Sequence, residues 1–415
     1  MQMFLQVAII VEKEVKERFE VLDSWRGIAA LLVALFHLGM NSHVFELSLV
    51  RNASLFVDFF FVLSGFVLAH AYSSALRKGM GLTGYVIRRV GRLWPLHIAV
   101  IIYLVGYEFH TMSLVESGFL SPRPLFSEEN ARGIKLLVEN IFLVQAVGFE
   151  RHVGWNAPSW SISAEMWVCI LFAIICVYCS RKHTTVIAGL LVAAAMLTLW
   201  FFAPTYMASS VVFAIPKCIA GFFTGYLVYE FRNKIKIEGL RHGSCIELAT
   251  VALIVGYLSI IDVERSDPMT MLAPALFAVV VWVFSFEAGA VSRLLRIRPM
   301  VWLGTLSYSI YMVHDVISNQ LGAHVRGCIV DKAIPGCENF VYISQAFQET
   351  RYFADGVAIA YLLMVIAVST ATYWLIENPG RKAFNKLASV VSRKRVSRDS
   401  TTRDTRPAPS EKYSG

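Results

Sequence analysis

Apolar residues along the 415-residue chain gather into runs of about 20, separated by shorter polar links that carry most of the charge. At 1.5 Å per residue, a helix of that length crosses the hydrocarbon core of a bilayer. Ten such runs are read, at 22–42, 53–73, 93–112, 156–179, 186–203, 206–230, 244–261, 270–290, 300–320 and 355–376. They lack the strict two-residue alternation of a membrane barrel strand. The pattern predicts an all-α integral membrane protein, a bundle of about ten transmembrane helices spanning 22–385. A lead-in (1–21) precedes the bundle. It has no basic segment before its short apolar run and no small-residue cleavage site, so it is not read as a signal peptide. A basic tail (386–415), rich in Ser, Thr, Arg, Asp and Pro, is expected to be disordered, and no second soluble domain is read after the bundle.

Composition agrees with this reading: 56% of residues are hydrophobic and only 16% are charged, less charge than a soluble domain carries. The net charge of +8 suggests nucleic acid only if the chain is taken as soluble. Here the basic residues fall on alternate links. Arg77, Lys78, Arg88, Arg89 and Arg92 lie between the second and third runs, and Arg181 and Lys182 follow the fourth. Arg232, Lys234, Lys236 and Arg241 follow the sixth; Arg293, Arg296 and Arg298 follow the eighth; "SRKR" (392–395) follows the tenth. That alternation is the positive-inside pattern, with both termini cytoplasmic, membrane lipid as the surrounding partner and no nucleic acid. The expected location is the inner (plasma) membrane, with multiple crossings.

Two links, 113–155 and 321–354, are long and external in this topology. The first is expected to hold a helix near "IKLLVENIFLVQA" (134–146), either interfacial or re-entrant. The second holds Cys328 and Cys337, which fit either a disulfide or two free thiols on the oxidising side. The other five cysteines sit in or beside apolar runs as small core residues, and no Cys–His spacing suggests a metal site.

Ionisable residues inside the runs carry the chemistry, because a bilayer makes them costly. "LDSWRGIAALLVALFHLGM" (22–40) holds Arg26 and His37 on nearly one helix face, about 16 Å apart along the axis. Arg26 fits a snorkelling end residue or an anion ligand; His37 fits a helix–helix hydrogen bond or an acid–base group. Glu165 in "SWSISAE" falls at a depth similar to His37, so the two are expected to form a charge-coupled pair. Asp58 and Ser64 lie in the second run, and Tyr308 and His314 in the ninth, as substrate-binding or supporting groups. Lys217, deep in the sixth run, fits either a carboxylate partner or an anion contact. Arg89 and Arg92 in "RRVGRLWP" share a helix face and form a fork suited to phosphate.

"LDSWRGIAALLVALFH", "VDFFFVLSGF", "RRVGRLWPL", "SWSISAE", "LGTLSYSIYMVHD" and "IENPGRKAF" together resemble, in order, the landmarks of the membrane-bound acyltransferase-3 family, across about 22–385. The resemblance implies an enzyme that moves an acyl group, usually acetyl, from cytoplasmic acyl-CoA (acetyl-CoA as the usual donor) to a hydroxyl of an exported or cell-envelope carbohydrate or glycoconjugate. The family's Arg-x10-His pattern falls on Arg26 and His37, its Arg-x-x-Arg pattern on Arg89 and Arg92, and its glutamate on Glu165. The "FFxxSGF" motif holds Phe60, Ser64, Gly65 and Phe66. Ser24 and Trp25 replace the commoner Gly-Leu before Arg26, and "EMW" stands where a polar-aromatic run is usual. On this reading His37 and Glu165 are catalytic, and Arg26, Arg89 and Arg92 hold acyl-CoA. The rival class is a proton-coupled secondary transporter, which intramembrane His, Glu, Asp and Lys also suit, although no inverted repeat is visible.

Overall fold

The structure is a computed structural model that describes residues 18–40, 42–118, 124–127, 131–147, 154–208, 211–234, 242–329 and 351–404. The N-terminal lead-in up to residue 17 and the Cys328–Cys337 question lie outside the described side chains. Among the described residues the chain is helical, with no strand. The long helices are α1 (Glu20–Leu38), α2 (Phe56–Arg77), α3 (Leu82–Glu116), α4 (Ser159–Tyr178), α5 (Arg181–Phe202), α6 (Ala214–Arg232), α7 (Gly243–Ile260), α8 (Ala273–Phe284), α9 (Arg298–Ile329), α10 (Tyr352–Thr372) and α11 (Asn378–Asp404).

Among the described residues, seven helical stretches are long and apolar enough to cross a membrane: those of α1 to α5, α7, and Tyr352–Ser392, which takes in α10 and the start of α11. With these the chain is a multi-pass membrane protein. The other three predicted runs are also helices, but each departs from a simple apolar span. Lys217, Glu230 and Arg232 interrupt α6, α8 has only 12 residues, and α9 carries Ser307, Ser309, His314 and Asp315. The basic segment predicted as disordered from 386 begins inside α11 instead. Gly84 faces Ser392, Gly91 faces Phe384 and Pro95 faces Gly380, so α11 runs antiparallel along α3 and buries Ala388 there.

Outward-facing apolar side chains such as Ile102, Phe109, Leu190, Phe201, Leu253 and Leu363 are exposed. That surface suits lipid and not water. The interior is built on close helix contacts at small residues, which lipid-embedded helices use in place of a hydrophobic driving force. A Cβ at Gly65 would collide with the Phe222 carbonyl, and one at Gly225 with that of Val62, so α2 and α6 touch backbone to backbone. Gly27 and Gly304 do the same for α1 and α9, the most extensive helix pair in the bundle. The end of α1 has a local cause: Gly39, at φ 61°, takes the left-handed conformation that stops the helix just past His37.

The 134–147 stretch forms a short helix, Ile134–Ile141, followed by turns. It is tied into the bundle and not laid on its surface. Trp94 donates to the Ile141 carbonyl at 3.0 Å, while Ser163 and Trp167 donate to that of Leu143 at 2.6 and 2.8 Å.

Candidate active site

Five helices surround a cavity of about 190 Å3. Helical spacing explains which side chains reach it, since residues three or four apart share a face. α2 presents Phe60, Phe61 and Ser64; α3 presents Arg89 and Arg92; α4 presents Ser161 and Glu165; α9 presents Ser307, Tyr308 and Tyr311; α1 contributes Arg26. Val57, Leu63, Leu68, Leu93 and Ile162 make the remaining wall apolar.

The three arginines dominate the electrostatics, and each has a carboxylate. Arg89 Nη2 lies 2.8 Å from Glu165 Oε1, which also accepts from Ser64 Oγ at 3.0 Å. Arg92 pairs with the buried Glu377, whose second oxygen accepts from Ser309 Oγ at 2.7 Å. The Arg92 guanidinium also lies over the Tyr308 ring, 5.4 Å from its centre, and Tyr308 donates to the Leu93 carbonyl. Arg26 has the loosest partner, Asp23 at 3.6 Å, and is the most exposed of the three at 29%. It is the guanidinium most available to an incoming anion.

His37 stands elsewhere. It occupies the last turn of α1, about 16 Å from Arg26 along the axis, is exposed, and does not line the cavity. Its Nδ1–H donates to the Val33 carbonyl at 2.9 Å. A carbonyl only accepts, so in the neutral ring Nε2 keeps its lone pair. The ring meets His314 edge to face, with centroids 4.9 Å apart. Tyr311 joins the two regions. It lines the cavity, shares a 2.8 Å hydrogen bond with Ser161, and its ring lies 5.8 Å from Phe60 and 5.6 Å from His314.

The expected His37–Glu165 pair is therefore not formed. Glu165 is not level with His37: it lines the cavity with Arg26, Arg89 and Arg92, about three helical turns along α1 from His37. α4 turns Glu165 toward Arg89 of α3, and the Gly27–Gly304 contact turns α1 so that His37 meets α9. Asp58, expected as a supporting group, is fully buried off the cavity and pairs with Lys217 at 3.4 Å. Lys217 also donates to the Met207 carbonyl at 2.5 Å and lies 5.6 Å from the Trp160 ring centre. Ser64, Tyr308, Arg26, Arg89 and Arg92 are all at the cavity, and His314 is at His37.

Glu377 was not singled out from sequence. Glu377 follows an apolar run in "IENPGRKAF" and an acid there is a visible signal. Its reach back to Arg92 depends on a single turn of wider helix at Tyr373–Glu377. Among the described residues, no three His, Cys, Asp or Glu side chains come together as metal ligands.

A helical bundle with seven apolar stretches long enough to cross a membrane among the described residues, enclosing a cavity lined by three arginines, defines the class as an integral-membrane protein. Residues 19–375 match the family described as "Acyltransferase domain", and the chain belongs to that family. It is similar to "Protein 2 in picA locus" of Rhizobium radiobacter, 39% identical over 92 residues, covering 22% of this chain and 46% of that protein. It is also similar to the peptidoglycan O-acetyltransferase OatA of Listeria monocytogenes, 23% identical over 318 residues, 71% of this chain and 48% of that protein. In each case the match spans about half the length of the relative. No solved structure matches significantly.

Proposed function

We propose that this protein is an O-acyltransferase that moves an acyl group, acetyl in the first instance, from cytoplasmic acyl-CoA to a hydroxyl of an exported or cell-envelope carbohydrate. The observation that carries the reading is the joint arrangement of cavity and base. Three guanidiniums border a partly apolar cavity, and His37 stands outside it with Nε2 free, linked to the cavity through His314, which touches both His37 and the cavity residue Tyr311. Family membership supports the transfer chemistry, and the name of the Listeria relative makes a peptidoglycan sugar a candidate acceptor.

In this proposal all ten helices α1 to α10 cross the inner membrane, with both termini cytoplasmic. Arg26, Arg89 and Arg92 open to the cytoplasm and take the phosphates of the donor, where guanidinium forks are strongest. A cavity of about 190 Å3 is below the size of pockets that enclose a drug-sized ligand. It suits the pantetheine arm, with the nucleotide left outside. His37 Nε2 takes the proton of the acceptor hydroxyl as its oxygen attacks the thioester carbon. The carbon–sulfur bond then breaks, and the same proton leaves with the thiolate of CoA. Low-dielectric walls of Phe60, Phe61 and Leu93 strengthen each of these contacts and keep bulk water from hydrolysing the thioester.

Mass spectrometry of envelope carbohydrates from cells with and without the protein tests the proposal. Esters present only with the wild type, and lost with His37→Ala inserted at the wild-type level, are the expected result. Esters persisting in His37→Ala remove the base from the mechanism. Proton-coupled solute flux in proteoliposomes without acyl-CoA consumption would favour the transporter class instead.

A further inference from the structure

α9 brings a second imidazole to His37, and its surroundings are distinctive. His314 is fully buried. Its Nδ1–H donates to the Tyr311 carbonyl at 2.7 Å, so Nε2 holds the lone pair, and that nitrogen is buried with no hydrogen-bond partner. An unmet buried acceptor is costly and calls for a physical explanation. The ring beside it is that of His37, edge to face at 4.9 Å.

Two further features hold the rings in place. Gly27 and Gly304 let the backbones of α1 and α9 touch. Tyr361 of α10 donates to the carbonyls of both Ala34 and His314, at 3.2 and 3.1 Å, bracing the histidine-bearing helices within a turn of both rings. Asp315, the next residue on α9, lies within electrostatic reach of His37 and accepts from Asn319 at 3.1 Å. The other titratable or charged groups facing the pair are Arg132, near Asp315, Tyr361 of α10, and Tyr311 with Glu165 and Asp58 beyond it.

We infer that His314 is a positioning residue for proton transfer, acting through His37, with Asp315 as the carboxylate that stabilises the charged pair. When the acceptor hydroxyl gives its proton to His37 Nε2 and forms the new carbon–oxygen bond, the His314 ring packed edge to face against His37 holds the orientation of the imidazolium. When the carbon–sulfur bond breaks, that proton passes to the CoA thiolate and both rings return to their starting state. The reaction in this inference rests on the O-acyltransferase reading; the coupling of the two imidazoles does not.

Diethyl pyrocarbonate, which acylates unprotonated imidazole, provides the test. The full chain in nanodiscs is treated across about pH 5 to 8, the range in which imidazoles titrate, and modification of His37 is followed by peptide mass spectrometry. His314→Gln is expected to displace the pH midpoint of His37 modification by about half a unit, roughly threefold in rate on the flank. Exposed His43, paired with Asp355 at 2.7 Å, serves as the internal control and should not move. An unmoved His37 midpoint overturns the inference. Should His43 also change, the packing has shifted and Asp315→Asn is read by the same criterion. Release of free CoA from acetyl-CoA by the same proteins in native membranes completes the test. His314→Gln should lower kcat while leaving the KM for acetyl-CoA unchanged, and a KM effect alone counts against it. A midpoint displaced by His314→Gln, together with a wild-type protein that consumes no acetyl-CoA, keeps the imidazole pair and removes the acyl-transfer reading.

Discussion

Glu165 Oε1 accepts two hydrogen bonds, from Arg89 at 2.8 Å and from Ser64 at 3.0 Å. That geometry makes the carboxylate an organiser of Arg89 and Ser64 in the cavity before it makes it a base. Glu165→Gln keeps one acceptor oxygen for both donors and removes the charge. A hydrogen bond to a charged group contributes about 1.5–3 kcal/mol, so the substitution should alter the KM for acetyl-CoA by about tenfold or more while costing less turnover than His37→Gln. Steady-state CoA release from both variants decides it, and equal loss of kcat would return Glu165 to the reacting groups. Arg92 makes a different case. Lysine there keeps the charge but loses both the fork toward Glu377 and the stacking on Tyr308. Arg92→Lys should raise the KM for acetyl-CoA about tenfold, near 1.4 kcal/mol, and an unchanged KM would reduce this arginine to a topology determinant.

At the scale of elements, the α2–α6 contact supports the cavity from behind. Phe60, Phe61 and Ser64 reach the cavity from α2, and Gly65 stands directly against the Phe222 backbone. The "SGF" glycine is thus explained by close approach of two helices. Gly65→Ala forces α2 and α6 apart and should cost about 1–3 kcal/mol, the usual range for overpacking. Gly106→Ala is the matched control, because a Cβ there meets nothing within 4 Å. Thermal unfolding in detergent should separate the two variants. If both melt alike, the contact is looser than described. The α3–α11 pairing is similar in kind, since Gly84 and Gly91 open the groove that Ser392 and Phe384 fill.

At the scale of the whole molecule, the most deeply buried ion pair among the described residues is Asp58–Lys217, with side chains 0% and 4% exposed. It joins α2 to α6 away from the cavity. Removing one partner of a buried pair strands the other charge, at about 3–5 kcal/mol, whereas replacing both with apolar residues of similar volume is often neutral. Asp58→Ala should therefore destabilise strongly, and Asp58→Leu combined with Lys217→Met should recover most of the loss. Melting temperature and CoA release measured together distinguish structure from chemistry. A stable but inactive double variant would show that the charges themselves are needed for transfer.

Sequence alone determined the quantities that are local. Helix positions follow from the lengths of apolar runs, and the depth of Arg26 relative to His37 follows from counting residues at 1.5 Å each. The sharing of a face by Arg89 and Arg92, or by Ser161 and Glu165, follows from helical spacing, and all four line the cavity. The tertiary structure decided which way each helix turns. That rotation is set by contacts between residues far apart in the chain, such as Gly27 with Gly304 and Gly65 with Phe222. It sends Glu165 to Arg89, sends His37 to His314, withdraws Asp58 to Lys217, and brings Glu377 back to Arg92. Depth is a sum along one segment, whereas azimuth is settled by the packing of several, and only the packed bundle contains it.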